Sequence, residues 1–333
     1  MKRYLVLLLT VLMAFCFAAC SGKGSSVINP RPDPDKTEVT AVASPEATAA
    51  ATEAAPTAEP FSPGDLNAPA CALEEYPKVD GSTANIPLAM GLIMAATGCT
   101  EDEAEESIAF STTDYSYEAL AEGRCDMLLV YEASAPTKEA YDPENNFDMR
   151  PIGLDALVFI TNSDNPVDSL TVDQIRGIFS GSITNWSEVG GLDMPIKAFQ
   201  RPTLSGSQTL MLDLCMGDVP MADQDVITVS DTMSDVIEDI AAYDNSANAI
   251  GYSVYYYAKN MYNQPNLKFI MVEGVEPTYE SINTGDYPYV NPFYAILPKT
   301  NANPTAKALV DWLETSEGQR LVAACGYVPY LKS

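Results

Sequence analysis

Three short clusters of small polar residues stand directly before stretches with helical spacing. They are Asp80-Gly81-Ser82-Thr83, Ser111-Thr112-Thr113-Asp114 and Arg201-Pro202-Thr203-Leu204-Ser205-Gly206-Ser207. Hydroxyls and free backbone N–H groups at a helix N-terminus favour an anion, because the unpaired donors and the helix dipole act together. The planar guanidinium of Arg201 also suits an oxyanion. The clusters therefore predict an oxyanion site, provided that the fold brings them together.

Helix capping is the simpler interpretation of each cluster. Ser, Thr and Asp are preferred N-cap residues in all helices, so one cluster alone would not indicate a ligand. Three clusters together, one of them with an Arg four residues before a Ser, favour the binding interpretation. The sequence leaves open whether they converge in space.

The composition excludes several classes of function. The chain has 333 residues, with 18 Lys and Arg against 46 Asp and Glu, no His, and a formal net charge of −28. This charge argues against binding to nucleic acid, or by charge to an anionic membrane surface, because both need a basic face. The absence of His removes Ser-His-Asp triads, His-ligated zinc and haem with an axial His.

Carboxylate-only catalysis stays as an alternative, since a glycosidase can work with a pair of acids. No nucleophile–base signature occurs in the sequence, and the many acidic residues create accidental pairs. We therefore predict that the protein is not an enzyme and has no catalytic residue, no metal and no cofactor.

The first 70 residues are predicted to direct the protein out of the cytoplasm and to tether a folded domain. Two basic residues precede an apolar run at residues 4–19, which is short for a membrane span and fits a secretory signal. Small residues before Cys20 resemble the lipobox of bacterial lipoproteins, which implies removal of residues 1–19 and a lipid on Cys20. An uncleaved signal anchor is the alternative. Residues 20–70 are rich in Ala, Thr, Pro and Glu and predict a disordered tether, compatible with an O-glycosylated stalk. We expect a protein outside the cytoplasm, lipid-anchored to the bacterial cell membrane.

Beyond about residue 76, short apolar runs alternate with helical periods, as in α/β folds. Candidate strands lie at residues 126–131, 156–161, 196–200, 268–272 and 293–297. Thr100-x-x-Glu103 and Thr171-x-x-Gln174 match the capping-box pattern, and Pro304 suits the first turn of the last long helical region. Five cysteines beyond the lipobox are widely spaced without a CxxC motif, which leaves one extracellular disulfide open.

Five segments resemble the PstS-like phosphate-binding proteins of the phosphate-specific ABC transporter, a family of type II periplasmic binding proteins. The segments are residues 80–89, 165–186, 201–207, 248–252 and 316–329. The resemblance implies an α/β fold of two lobes around a ligand cleft, joined by two crossing strands. The domain at residues 76–333 would then divide into lobe 1, about 76–155 and 290–333, and lobe 2, about 163–275.

The resemblance also implies a set of ligand-binding residues. Those that it places on this chain are Ser82, Thr83, Ser111, Thr113, Arg201, Ser205, Gly206 and Ser207. The family's acidic residue, which accepts a proton from phosphate, falls on Tyr131 in a gap-free count, and the adjacent Glu132 is the nearby carboxylate. We expect Glu132 either to reach the ligand or to be a surface acid. In the first case the site selects phosphate over sulfate, because sulfate has no proton to share with a carboxylate.

The resemblance implies a monomeric solute-binding protein that captures inorganic phosphate, or a similar oxyanion, by cleft closure and delivers it to ABC permease subunits. The alternative is a protein of the same fold that binds another oxyanion or small ligand, or that acts as a sensor or surface interaction protein without a transport role. The negative net charge would repel an anionic ligand at long range and slow its association, and salt would speed association by screening this repulsion.

Overall fold

The computed structural model describes the larger part of the chain. The described residues are 66–223, 228–229, 236–237, 240 and 246–331. The predicted signal peptide at residues 1–19, the lipidation site Cys20 and the predicted tether before residue 66 lie outside the described residues. The described end of the tether contains Leu66, which is 7% exposed and packs in the main core.

Ten strands within the described residues form one mixed sheet, which confirms the α/β class. They are β1 (Val79–Gly81), β2 (Met127–Val130), β3 (Phe147–Asn162), β4 (Ser169–Leu170), β5 (Lys197–Gln200), β6 (Thr228–Val229), β7 (Ala249–Val254), β8 (Leu267–Val272), β9 (Val290–Pro298) and β10 (Val328–Pro329). The main path runs β1-β2-β9-β3-β7-β5-β6, while β8 and β10 pair with β3, and β4 pairs with β8. The five candidate strands correspond to β2, β3, β5, β8 and β9.

The helices surround this sheet. The α-helices among the described residues are α1 (Ile86–Thr97), α2 (Glu101–Ser107), α3 (Thr113–Ala121), α4 (Ala135–Tyr141), α5 (Pro143–Asn146), α6 (Val172–Phe179), α7 (Gly206–Leu210), α8 (Tyr279–Thr284), α9 (Pro304–Leu313) and α10 (Ser316–Ala324). Both predicted capping boxes are confirmed, at the starts of α2 and α6. Pro304 is the first residue of α9, as predicted. A π-helical segment, Met211–Met216, continues α7.

None of the described helices is by itself long and apolar enough to cross a membrane. The bent pair Thr83–Thr97 and Glu101–Ser107 meets the length and composition criteria only when its two halves are taken together.

The long strand β3 connects two groups of strands. Its residues 147–156 pair with β9, and its residues 157–161 pair with β7. The side chains of residues 156–160 are at most 1% exposed. A strand that is covered on both faces needs a continuous apolar run instead of alternation, and Ala156-Leu157-Val158-Phe159-Ile160 provides one. The two lobe boundaries stay a prediction, but β3 physically joins the strands on either side of them.

The strand β2 is anchored in two hydrophobic cores at once. Met127 and Leu129 belong to the main core, whereas Leu128 and Val130 pack with Tyr117 of α3 in a smaller core. All four β2 side chains are completely buried. The residues that follow β2 therefore start from a rigid support.

The buried carboxylate of Asp155 lies where the two strand groups meet. It is 2% exposed and accepts hydrogen bonds from the Tyr131 hydroxyl at 2.6 Å, from Ala156 N at 2.7 Å and from Tyr256 N at 3.1 Å. Burial raises the pKa of Asp155 to about 6, although these hydrogen bonds act in the opposite direction. One side chain thus links the segment after β2, β3 and the segment after β7.

We expect the stability contribution of Asp155 to depend on pH. Its pKa in the folded protein, about 6, exceeds the ordinary value of 3.8. Protonated Asp155 therefore stabilises the folded state below about pH 4, and this stabilisation is lost as the pH rises through 6. Asp155→Asn has no such proton to lose. The unfolding free energy of the parent protein relative to this variant should fall by about 2 kcal/mol between pH 4 and pH 7.

Urea denaturation at a series of pH values measures this difference. Asp164→Asn, at an exposed position just beyond β3, controls for the chemical change itself. A difference between the parent protein and Asp155→Asn that stays constant over this range would contradict the assignment.

Candidate functional site

A cavity of about 500 Å³ opens where the three small polar clusters meet. Seven of the nine predicted ligand-binding residues line it: Ser82, Thr83, Thr113, Arg201, Ser205, Gly206 and Ser207. Clusters that lie far apart in the sequence therefore share one cavity, as the binding interpretation requires. The two predicted residues that do not line it are Ser111 and Glu132.

The first two clusters are joined through a pair of hydroxyls. Ser82 Oγ lies 2.8 Å from Thr113 Oγ1, and both residues are buried. Tyr131 N donates to Ser82 Oγ at 3.2 Å. Because Ser82 Oγ already accepts this N–H, its own proton can go to Thr113 or to a ligand, and the Thr113 proton can do the same. The pair is therefore arranged to donate hydrogen bonds to an anion.

Ser111 holds the second cluster against the first and does not reach the cavity. Its N–H donates to Asp80 Oδ1 at 2.7 Å, and its hydroxyl donates to Asp80 Oδ2 at 2.6 Å. Gly81 N donates to Asp80 Oδ1 at 2.7 Å. Asp80 is thus occupied by protein donors, and Ser111 positions the loop before α3.

The backbone of Thr112 is strained at the edge of the cavity. This residue has φ 89° and ψ 169°, a region that is nearly restricted to glycine. Thr112 is the N-cap of α3 and directly precedes Thr113. The strain is retained at the position that turns Thr113 toward Ser82, as often occurs at binding sites.

The third cluster approaches the second so closely that only glycine fits at the contact. A Cβ on Gly206 would lie 2.4 Å from Thr113 Oγ1, well inside contact distance. The adjacent hydroxyls of Ser205 and Ser207 lie 3.1 Å apart, and either can be the donor. The start of α7 thus faces the start of α3 across the cavity.

The backbone of Arg201 is fixed by two buried side chains. Arg201 N donates to Tyr252 Oη at 3.0 Å and to Gln208 Oε1 at 3.1 Å, and the Tyr252 hydroxyl donates to Gln208. Burial raises the pKa of Tyr252, so its hydroxyl keeps its proton over the working pH range. The side chain of Tyr252 is itself completely buried.

Arg201 supplies the formal charge of the cavity. Among the lining residues that the structure describes, it is the sole charged side chain, and the remainder are hydroxyl-bearing or apolar. The described lining therefore carries a positively charged side chain, although the net charge of the chain is −28. Such an arrangement suits an anion, since local donors decide affinity in a partly desolvated cleft.

Glu132 points to a different set of partners. Its carboxylate lies 3.2 Å from Lys138 Nζ, which also lies 3.7 Å from the Asp213 carboxylate. Burial, together with Glu132, raises the pKa of Tyr294 to about 12. The structure thus places Glu132 with Lys138 and Tyr294, and not among the residues that line the cavity. Tyr131, at the position of the family's acid, donates its hydroxyl to Asp155 instead.

Sequence reasoning missed the less polar wall of the cavity. The additional side chains that form this wall are Tyr115, Leu204, Val254 and Tyr257, and they adjoin Tyr131, which the sequence places at the position of the family's acid. Tyr115 stands two residues after Thr113, and Leu204 stands one residue before Ser205. This proximity to predicted ligand-binding residues was the signal in the sequence that could have identified them. Tyr257 is only 8% exposed and also lines the cavity.

Comparison with known proteins gives a family match and a set of relatives. The model of the PBP superfamily domain matches residues 72–317. The chain is 28% identical over 198 residues to the phosphate-binding protein PstS of Bacillus subtilis, covering 59% of this chain and 61% of that protein. It is 29% identical over 180 residues to PstS of Borreliella burgdorferi, covering 52% and 63% respectively. The chain thus spans less than two thirds of these relatives.

Two solved structures share the fold. One is a substrate-binding protein from Clostridium perfringens with bound phosphate, at a TM-score of 0.60 and 24% identity, covering 76% of this chain and 98% of that one. The other is an ABC-type phosphate transport receptor from Vibrio cholerae, at a TM-score of 0.57 and 22% identity, covering 75% and 98%. The type II periplasmic-binding-protein architecture expected from the sequence is confirmed.

We expect Gly206→Ala to destabilise the protein through the contact with Thr113. An unstrained Gly-to-Ala change at a helix start normally stabilises, so a loss of about 1–3 kcal/mol would identify overpacking. Denaturant unfolding measures the loss.

A double-mutant cycle with Thr113→Ala isolates the contact. In the Thr113→Ala background, Gly206→Ala should cost much less, because the clashing oxygen is gone. Equal costs in both backgrounds would show that the two loops do not meet at this point.

Proposed function

Because the chain belongs to the PBP superfamily, we propose that it is a solute-binding protein that captures inorganic phosphate. The observation that carries the proposal is the convergence of Ser82, Thr113, Arg201, Ser205 and Ser207 on one cavity. The matched relatives that are named phosphate-binding proteins support this choice of oxyanion.

Each of these residues would have a simple role in holding phosphate. The hydroxyls of Ser82, Thr113, Ser205 and Ser207 would donate hydrogen bonds to its oxygens, and Arg201 would add charge-assisted ones. The first turn of α3 would contribute backbone donors and the positive end of its dipole. Thr83 and Gly206 would provide main-chain contacts. No chemical step is required, and the protein acts by binding and release.

Capture would proceed by cleft closure between the two predicted lobes. Ser82 and Thr113 come from one side of the cavity, and Arg201 and Ser205 come from the other. The ion pair of Lys138 with Asp213, at 3.7 Å, also joins segments that are predicted to lie in different lobes. Exposed ion pairs of this kind contribute little stability, so closure would depend mainly on the bound anion.

The cellular role follows from the same comparison. We propose that the bound phosphate is delivered to ABC permease subunits, in line with the transport function in the name of the Vibrio cholerae structure. The protein would be held outside the cytoplasm by a lipid on Cys20, with residues 20–70 as the tether, and would work as a monomer. It would not be an enzyme.

Calorimetric titration of phosphate into the purified full-length chain, freed of ligand by unfolding and refolding, tests the proposal. One phosphate should bind per chain. Absence of binding by refolded protein with a native circular dichroism spectrum would refute phosphate capture.

We expect Arg201→Ala to weaken phosphate binding by about 10- to 100-fold, since a charge-assisted hydrogen bond contributes about 1.5–3 kcal/mol. Arg124→Ala is the matched control, because Arg124 pairs with Glu118 and Glu122 on an exposed surface away from the cavity. The same titration measures both variants. An unchanged phosphate affinity of the Arg201→Ala variant would show that the Arg201 guanidinium does not bind the ligand.

A further inference from the structure

The cavity is larger than inorganic phosphate requires. Its volume of about 500 Å³ lies within the range of pockets that hold small organic ligands, about 300–1,000 Å³. Phosphate has five heavy atoms and would occupy only the part lined by hydroxyls and Arg201. The remaining space is lined by apolar and aromatic side chains.

Two exposed apolar side chains lie at this cavity. The large hydrophobic residues that are exposed in the described part of the chain are Tyr115, Leu192, Leu204, Tyr330 and Leu331. Two of these, Tyr115 at 53% exposure and Leu204 at 37%, line the cavity. Apolar surface left in water beside a polar site is typical of a ligand-binding groove.

The apolar residues are placed on the loops that carry the predicted phosphate ligands. Tyr115 follows Thr113 on α3, and Leu204 precedes Ser205. Val254, at the end of β7, and the neighbouring Tyr257 complete the wall. A ligand held by the hydroxyls through one end would therefore bring its other end against these side chains.

The polar and charged side chains that the structure describes at the cavity suit an ester as well as inorganic phosphate. A carboxylate that accepts a proton would favour inorganic phosphate, but the described lining residues include no Asp or Glu. A phosphate monoester in its dianionic form carries no proton and needs no such acceptor. Its three terminal oxygens accept hydrogen bonds, which is what Ser82, Thr113 and Arg201 can donate.

We propose that the cavity binds phosphate monoesters with a small apolar or aromatic substituent, with the phosphoryl group at the hydroxyls and Arg201 and the substituent against Tyr115, Leu204 and Tyr257. This inference rests on the proposed function, because it uses the same residues for the phosphoryl group. It extends the ligand from the inorganic anion to a class of organic phosphates.

Calorimetric titration of the full chain with phenyl phosphate and with inorganic phosphate, in parallel at pH 8, tests the inference. Phenyl phosphate should bind at least as tightly as inorganic phosphate. Leu204→Ala and Tyr115→Ala should each lower the ratio of the phenyl phosphate affinity to the phosphate affinity by about fivefold or more, because they remove apolar contact with the ring.

The matched controls are Leu192→Ala and Tyr330→Ala, which truncate equally exposed side chains that do not line the cavity. Both should leave the affinity ratio unchanged. If Leu204→Ala and Tyr115→Ala also leave the ratio unchanged, the placement of the substituent is wrong.

The outcomes separate this inference from the proposed function. Binding of phosphate with phenyl phosphate more than tenfold weaker would overturn the inference and leave phosphate capture intact. Binding of phenyl phosphate alone would support the inference and overturn inorganic phosphate as the ligand. Binding of neither would overturn both.

Discussion

The close contact between Gly206 and Thr113 is the constraint on which the site depends. A Cβ at position 206 would lie 2.4 Å from Thr113 Oγ1, so the loops that precede α3 and α7 can meet only because this residue is glycine. Thr113 in turn shares a hydrogen bond with Ser82, which brings in the first loop. Three helix starts that would each be ordinary caps alone are thereby assembled around one space.

This assembly explains how a strongly acidic protein can present a site for anions. The chain carries a net charge of −28, yet the formal charge on the described cavity lining is the single positive charge of Arg201. Short-range hydrogen bonds act within a partly buried cleft, whereas most of the carboxylates that the structure describes lie at exposed positions where screening weakens them. The acidic surface would therefore affect the rate of ligand arrival more than the strength of binding.

Local patterns were sufficient to predict the elements but not the contacts between them. The apolar run in β3 and the capping boxes at Thr100 and Thr171 are signals carried by a few adjacent residues, and the structure agrees with them. The location of Ser111 depends on Asp80, which lies 31 residues earlier in the chain. Glu132 pairs with Lys138, and Lys138 in turn lies 3.7 Å from the carboxylate of the distant Asp213. The apolar wall was missed for a similar reason, because only the tertiary fold brings Tyr115 of α3 and Leu204 to the same cavity.

The most direct test of the account is a crystal structure of the protein grown with phosphate. The account predicts one phosphate in the cavity, within hydrogen-bond distance of Ser82, Thr113, Arg201 and the Ser205–Ser207 loop, with Glu132 still paired to Lys138. Phosphate bound elsewhere, or bound in the cavity by only one of the three loops, would contradict the claim that their convergence forms the site.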